Sequence, residues 1–106
     1  VQLVRAGLTI MEARLYLNTS ALAHRRRWRR VFRALDKRGA WQQLSAFACR
    51  LTPTACADLE RDLLTLLDAD HDRLMIVDLG AGSDAEARLR RHGMVESLPA
   101  ARVKIF

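Results

Sequence analysis

The side chains best placed to do chemistry are arginines. Between His24 and Arg38 the sequence carries eight basic residues and one acid, a balance of +7, whereas the rest carries ten basic and eleven acidic residues, a balance of −1. One segment therefore holds the whole net charge of +6. A guanidinium presents a planar fork of N–H donors that matches two phosphate oxygens, and sixteen of the eighteen basic residues are arginine. A GC-rich genome gives the same bias, so position carries more of the argument than identity. Arg26 and Arg30, Arg29 and Arg33, and Arg33 and Lys37 are each four apart. Like charges at that spacing destabilise a helix by a few tenths of a kcal/mol (about 0.2–0.5) per pair, where a merely solvated face mixes signs. Such pairs repeated along one segment point to an external polyanion, most simply a nucleic-acid backbone.

Other chemical groups fall into patterns that fail on inspection. Asp68, Asp70 and Asp72 have the spacing of the first three ligands of a calcium loop, but Arg73 stands where the turn needs glycine and Leu79 where a bidentate glutamate belongs. That leaves a solvated loop. Val77–Ala85 includes a glycine turn between an apolar run and a short polar segment, as in a dinucleotide site, yet only 21 residues follow it. His24, His71 and His92 are scattered and no Cys/His spacing resembles a zinc site, so no metal ligand set is assigned. Cys49 and Cys56 read as reduced, buried thiols without an adjacent base, and no nucleophile–base pair is legible.

The elements that must carry the arginines follow from periodicity. Trp28, Val31, Phe32 and Leu35 recur at i, i+3, i+4 and i+7, one stripe of a helix ended by Gly39. Arg26, Arg29, Arg30, Arg33 and Lys37 fall opposite that stripe, with Arg25, Arg27 and Arg38 on its flanks. Before it, Leu15, Leu17 and Thr19 alternate with Arg14, Tyr16 and Asn18, the pattern of a strand with its leucine face in a core. Residues 41–51 read as one bent strand or two short ones, and Thr52-Pro53 announces a second helix with apolar positions Cys56, Leu59, Leu63, Leu66 and Leu67. The near-continuous apolar run 73–79 predicts a strand covered on both faces. A short helix near 84–92 and a strand over 102–106 complete the chain.

This order predicts an α+β, ferredoxin-like (split βαβ) single domain with an added C-terminal strand, dimerising through the sheet face that two helices leave open. We divide it into an N-terminal extension, 1–12, ahead of or including a natural start at Met11; a ferredoxin-like core, 13–79; and a C-terminal short helix and strand, 80–106. No apolar run is long enough to span a membrane and the first residues lack a signal-peptide pattern, so no membrane partner and a cytoplasmic location are expected.

Three stretches together resemble the CRISPR-associated Cas-two family: Arg25–Leu35, Gly39–Thr52 and Asp72–Val77. The middle one is the most specific, with Gln43, Ser45, Phe47, Cys49 and Leu51 matching the family's second-strand pattern, and the resemblance runs from about Ala13 to Leu79. It implies a homodimer, with Ser45 and Phe47 in its strand motif, that bridges dimers of a Cas-one integrase and holds double-stranded DNA during spacer acquisition. The nucleic-acid contacts then fall to Arg25, Arg26, Arg27, Arg29, Arg30, Arg33 and Lys37. It also implies an alternative, a metal-dependent endoribonuclease using Mg²⁺ held by an aspartate at the end of the first strand. The matching stretch here is Asn18-Thr19-Ser20-Ala21, Ser20 lies near the usual aspartate position, and no acid occurs between Glu12 and Asp36. Without a carboxylate a hard cation is held poorly, so no catalytic residue is assigned and little intrinsic nuclease activity is expected. Asp36, Asp68 or Asp78 would have to substitute. A generic RNA-binding module on the same sheet is a third reading, but six aromatics leave few for base stacking.

Overall fold

A computed structural model describes residues 13–99. The elements run β1 (Arg14–Ala21), α1 (Arg25–Asp36), β2 (Ala40–Gln43), β3 (Ala46–Leu51), α2 (Pro53–Leu66), β4 (Arg73–Ala81) and α3 (Gly82–Ala87). The four strands form one antiparallel sheet in the order β2-β3-β1-β4. This is the ferredoxin-like arrangement expected, with 41–51 resolved into a hairpin whose turn places Leu44 at φ 45°. The predicted strand 102–106 and the extension 1–12 lie outside the described residues.

Both helices lie on one face. Val31 and Leu35 of α1 and Leu59 and Leu63 of α2 meet Phe47 and Cys49 of β3 in one buried cluster. Fully burying each such aliphatic side chain is worth about 1.5–3 kcal/mol. Trp28 and Phe32 continue the α1 stripe toward the hairpin, with ring centroids 5.2 Å apart, and Phe32 meets Phe47 edge-on at 5.0 Å. Gly39 is required by proximity, since a Cβ there would stand 2.5 Å from Cys49 Sγ and 2.6 Å from the Ala48 carbonyl oxygen. The second helix starts as expected, with Thr52 Oγ1 accepting from the Ala55 N–H at 3.1 Å and Pro53 in the first turn.

The sheet departs from expectation in two places. The helix-side residues of β1 are Tyr16 and Asn18, opposite Cys49 and Phe47, while Leu15 packs on the other face against Ala48 and Ala85. Leucine alternation therefore marked the face that α3 partly covers, not the main core. Strand β4 is an edge strand rather than one covered on both faces, and Met75 and Val77 are exposed. The apolar run arises because Leu74 and Ile76 turn toward the helices while Met75 and Val77 line the open face. The terminal helix is also shorter than predicted, ending at Ala87, and the chain continues without regular structure to Pro99.

Candidate nucleic-acid interface

The first turn of α1 is built against electrostatic preference. Its N-cap is His24, whose Nδ1 accepts from the Arg26 N–H at 3.3 Å, and the first turn contains no acid. Arg25, Arg26 and Arg27 occupy the positive end of the helix dipole, where cations are disfavoured and anions favoured. Burial of Val31 and Leu35 on the opposite side holds the helix regardless.

Six of the seven predicted contact residues share a solvent-facing surface: Arg25, Arg26, Arg29, Arg30, Arg33 and Lys37 are all exposed. None of them forms an ion pair among the described residues. The surface is therefore a field of positive charge without ion-pair partners among the described residues, open to an anion.

Arg27 departs from the expectation. Its Nε donates to Asp72 Oδ2 at 2.7 Å and its Nη2 to Asp72 Oδ1 at 3.2 Å, with the carboxylate side chain fully buried. Asp72 also accepts from the Ala23 N–H at 2.9 Å and from the Asp68 N–H at 2.9 Å. The Arg27 fork and these two backbone donors hold its pKa well below the ordinary carboxylate range. The 68–72 loop is therefore an organised junction at Asp72 whose middle, Ala69 to His71, stays exposed as expected, with His71 Nδ1 3.0 Å from Asp68 Oδ2 at its rim. Flanking Arg38 is likewise paired, donating to Asp62 on α2 at 2.7 Å.

The remaining predicted positions separate. Ser20 is half-buried at the end of β1, opposite Leu74. Ser45 sits in the hairpin turn and accepts from Trp28 Nε1 at 3.2 Å, tying the arginine helix to the β2–β3 edge. Phe47 belongs to the core. Sequence reasoning passed over Asn18, which is fully buried, donates to Cys49 Sγ at 3.4 Å and leaves its Oδ1 without a partner. Burial pushes the Cys49 thiol up to about 12, which keeps it neutral and inert.

The donor set does not fit a hard divalent ion. Around the end of β1 the side-chain oxygens of Asn18, Thr19 and Ser20 are neutral, and the carboxylate bordering them, Asp72, is saturated by Arg27, Ala23 and Asp68. Asp78 lies toward the other end of the strand, opposite Tyr16, held by Arg14 Nε at 2.9 Å and the Gly80 N–H at 2.9 Å. Among the described residues no three His, Cys, Asp or Glu side chains form a group able to hold a metal.

On the open face, Arg50 donates to Glu86 at 2.7 Å and to the Pro99 carbonyl at 3.4 Å, and Gln42 donates to the Ser97 carbonyl at 3.1 Å. The segment after α3 thus folds over the β2–β3 half of the sheet, α3 covers the Leu15 and Leu79 end of β1 and β4, and Met75 and Val77 of β4 stay exposed. No helix among the described residues is long and apolar enough to cross a membrane.

Comparison with known proteins gives consistent matches. The family model described as CRISPR associated protein Cas2 matches residues 20–87. The chain is 30% identical over 79 residues to the CRISPR-associated endoribonuclease Cas2 of Geobacter sulfurreducens, covering 74% of this chain and 83% of that one. It is 32% identical over 78 residues to CRISPR-associated endoribonuclease Cas2 1 of Rhodospirillum rubrum, covering 74% and 76%. Among solved structures, the hypothetical protein TT1823 of Thermus thermophilus superposes with a TM-score of 0.70 at 28% identity, covering 82% of this chain and 99% of that one. Streptococcus pyogenes Cas2 superposes with a TM-score of 0.65 at 25% identity, covering 74% and 99%.

Proposed function

Because the chain belongs to the CRISPR associated protein Cas2 family, we propose that it serves CRISPR adaptation as a dimeric nucleic-acid-binding adaptor, bridging Cas-one integrase dimers and holding a prespacer duplex on the outer face of α1. The observation that carries this reading is the row Arg25, Arg26, Arg29, Arg30, Arg33 and Lys37, exposed and without an acidic partner among the described residues. The helix geometry spreads these groups over three turns, a length of about 18 Å at 1.5 Å per residue, which parallels a stretch of phosphate backbone. A second copy of the chain is the natural cover for the exposed Met75 and Val77.

The test is salt-dependent binding to a labelled DNA duplex. Each phosphate contact contributes about 0.9 to the slope of log affinity against log salt. The R26E/R29E/R30E variant should lower both affinity and slope; unchanged values would remove the reading.

The names of the relatives favour a second reading, endoribonuclease activity. Its metal requirement meets the wrong donors at the end of β1, and no cleavage step is derived from them. Full-length protein incubated with Mg²⁺ and end-labelled RNA should leave the RNA intact. Magnesium-dependent cleavage that disappears in D78N or D36N would reinstate the ribonuclease.

A further inference from the structure

Asp72 is the point where three separate segments converge. Its carboxylate accepts from Ala23 in the β1–α1 connection, from Arg27 in the first turn of α1 and from Asp68 at the start of its own loop. The Asp72 N–H in turn donates to the Asp68 carbonyl at 2.8 Å. The other constraints on α1 act further along: Val31 and Leu35 in the core, Trp28 on Ser45, and Arg38 on Asp62. Nothing else among the described residues fixes the orientation of the first turn by a side-chain contact with the α2–β4 loop.

We infer that Asp72 is a positioning residue for phosphate binding: by gripping Arg27 and the Ala23 amide, it sets the direction in which the neighbouring Arg25, Arg26, Arg29 and Arg30 point. This rests on the reading that α1 meets nucleic acid. The fork geometry gives it physical content. Two N–H···O contacts between planar groups fix rotation as well as distance, which a single contact does not. An asparagine at 72 keeps one oxygen for a backbone donor but turns an NH₂ toward the guanidinium, donor against donor. The first turn, already burdened by three adjacent cations at the positive helix end, then loses the carboxylate that pairs directly with Arg27 and frays.

The inference is testable because position and net charge predict opposite signs. D72N removes a negative charge, so a purely electrostatic account predicts equal or tighter binding to a polyanion. Positioning predicts weaker binding. Full-length wild type, D72N and R27K are titrated against a fluorescein-labelled DNA duplex between about 50 and 200 mM salt, at a temperature where circular dichroism shows each folded. D72N should bind about tenfold more weakly with a shallower salt slope, since a loss of roughly one contact lowers affinity by that factor. R27K, which keeps the charge and loses the fork, should show the same change to a smaller extent and covers the case in which D72N does not fold. A merely structural role leaves folded protein with unchanged slope. Affinity equal to or above wild type in D72N, or an unchanged R27K where D72N is unfolded, overturns the inference. If R26E/R29E/R30E loses binding in the same assay while D72N and R27K do not, only the positioning role falls; if the triple variant also binds normally, the nucleic-acid reading falls with it.

Discussion

Helices α1 and α2 lie side by side on the same face of the sheet and treat their charges in opposite ways. Each contributes a short apolar stripe to one core, Val31 and Leu35 from α1 and Cys56, Leu59 and Leu63 from α2. Beyond that stripe α2 mixes signs and pairs them: it carries Asp58, Glu60 and Asp62 with Arg61, Arg61 lies 3.4 Å from Asp58 and 3.8 Å from Asp62, and Asp62 also takes Arg38. Helix α1 carries six arginines and one acid, and only Arg27 of these arginines has an ionic partner among the described residues. The fold needs the stripes and is indifferent to the outer faces, so selection is free to act on charge there. The outer face of α2 looks like an ordinary solvated helix, and that of α1 looks like a surface awaiting an anion.

The sharpest way to break this contrast is to change charge at equal number in different places. R26Q/R29Q/R30Q and R61Q/R73Q/R90Q each remove three positive charges. If location governs, the first should weaken duplex binding by about 500-fold at about 0.1 M salt, three contacts at 0.9 log units each, while the second changes it by severalfold through net charge alone. Equal losses in a fluorescence-anisotropy titration would reduce the α1 face to bulk electrostatics. The converse concerns stability, where the two helices should behave alike. Leu35→Ala in α1 and Leu63→Ala in α2 should each destabilise by about 2–5 kcal/mol in urea unfolding. A large asymmetry would mean that one helix is docked far less firmly than its neighbour.

How much of this was legible in the sequence follows the same division. The α1 stripe, the Thr52-Pro53 start of α2, the antiparallel α+β order and the cationic face were readable because each depends on residues within a few positions of one another. The inward face of β1 was not. Leu15, Leu17 and Thr19 form the tidier alternation, yet Tyr16 and Asn18 face the helices, because α3 and the segment beyond it give the first half of β1 a second covered face. A buried asparagine defeats any rule that turns polar residues outward. The covered-strand reading of β4 failed for the complementary reason: apolar residues line both faces, but the strand is an edge with Met75 and Val77 open. Asp72 was invisible as a functional residue because its partners lie 45 and 49 positions away. Its one local signal, an acid immediately before an apolar strand, was absorbed by the failed calcium-loop pattern.

The core beneath the two helices offers a pH test. Cys49 has its thiol pushed up to about 12 by burial, above an ordinary value of about 9. A group whose neutral form is favoured by folding contributes stability that is fully present below the unfolded value and is lost as pH rises toward the folded one. Stability should therefore fall by up to about 1.4 kcal/mol per pH unit from about pH 9 upward, and Cys49→Ala should flatten that part of the urea-midpoint profile. At the acid end the sign is reversed. Asp72, depressed by Arg27, contributes stability above the ordinary carboxylate range that disappears as pH falls through it, and D72N should make that limb shallower while Asp68 and Asp78, also depressed, keep part of it. An alkaline profile unchanged in the Cys49 variant would show that the thiol is not in the dry layer between sheet and helices.

The smallest effect is the most diagnostic of why α1 looks as it does. Arg29 has Arg25 four residues before it and Arg33 four after, so Arg29→Glu converts two repulsive helix neighbours into two attractive ones. Stability should rise by roughly 0.5–1 kcal/mol, a few degrees in thermal midpoint for a domain of this size, while duplex affinity falls about tenfold or more. A surface optimised for folding would not leave that gain unused. If Arg29→Glu instead lowers the midpoint, the arginine is held by a contact within the protein, and the contrast between the two helices loses the feature that distinguishes a binding face from a solvated one.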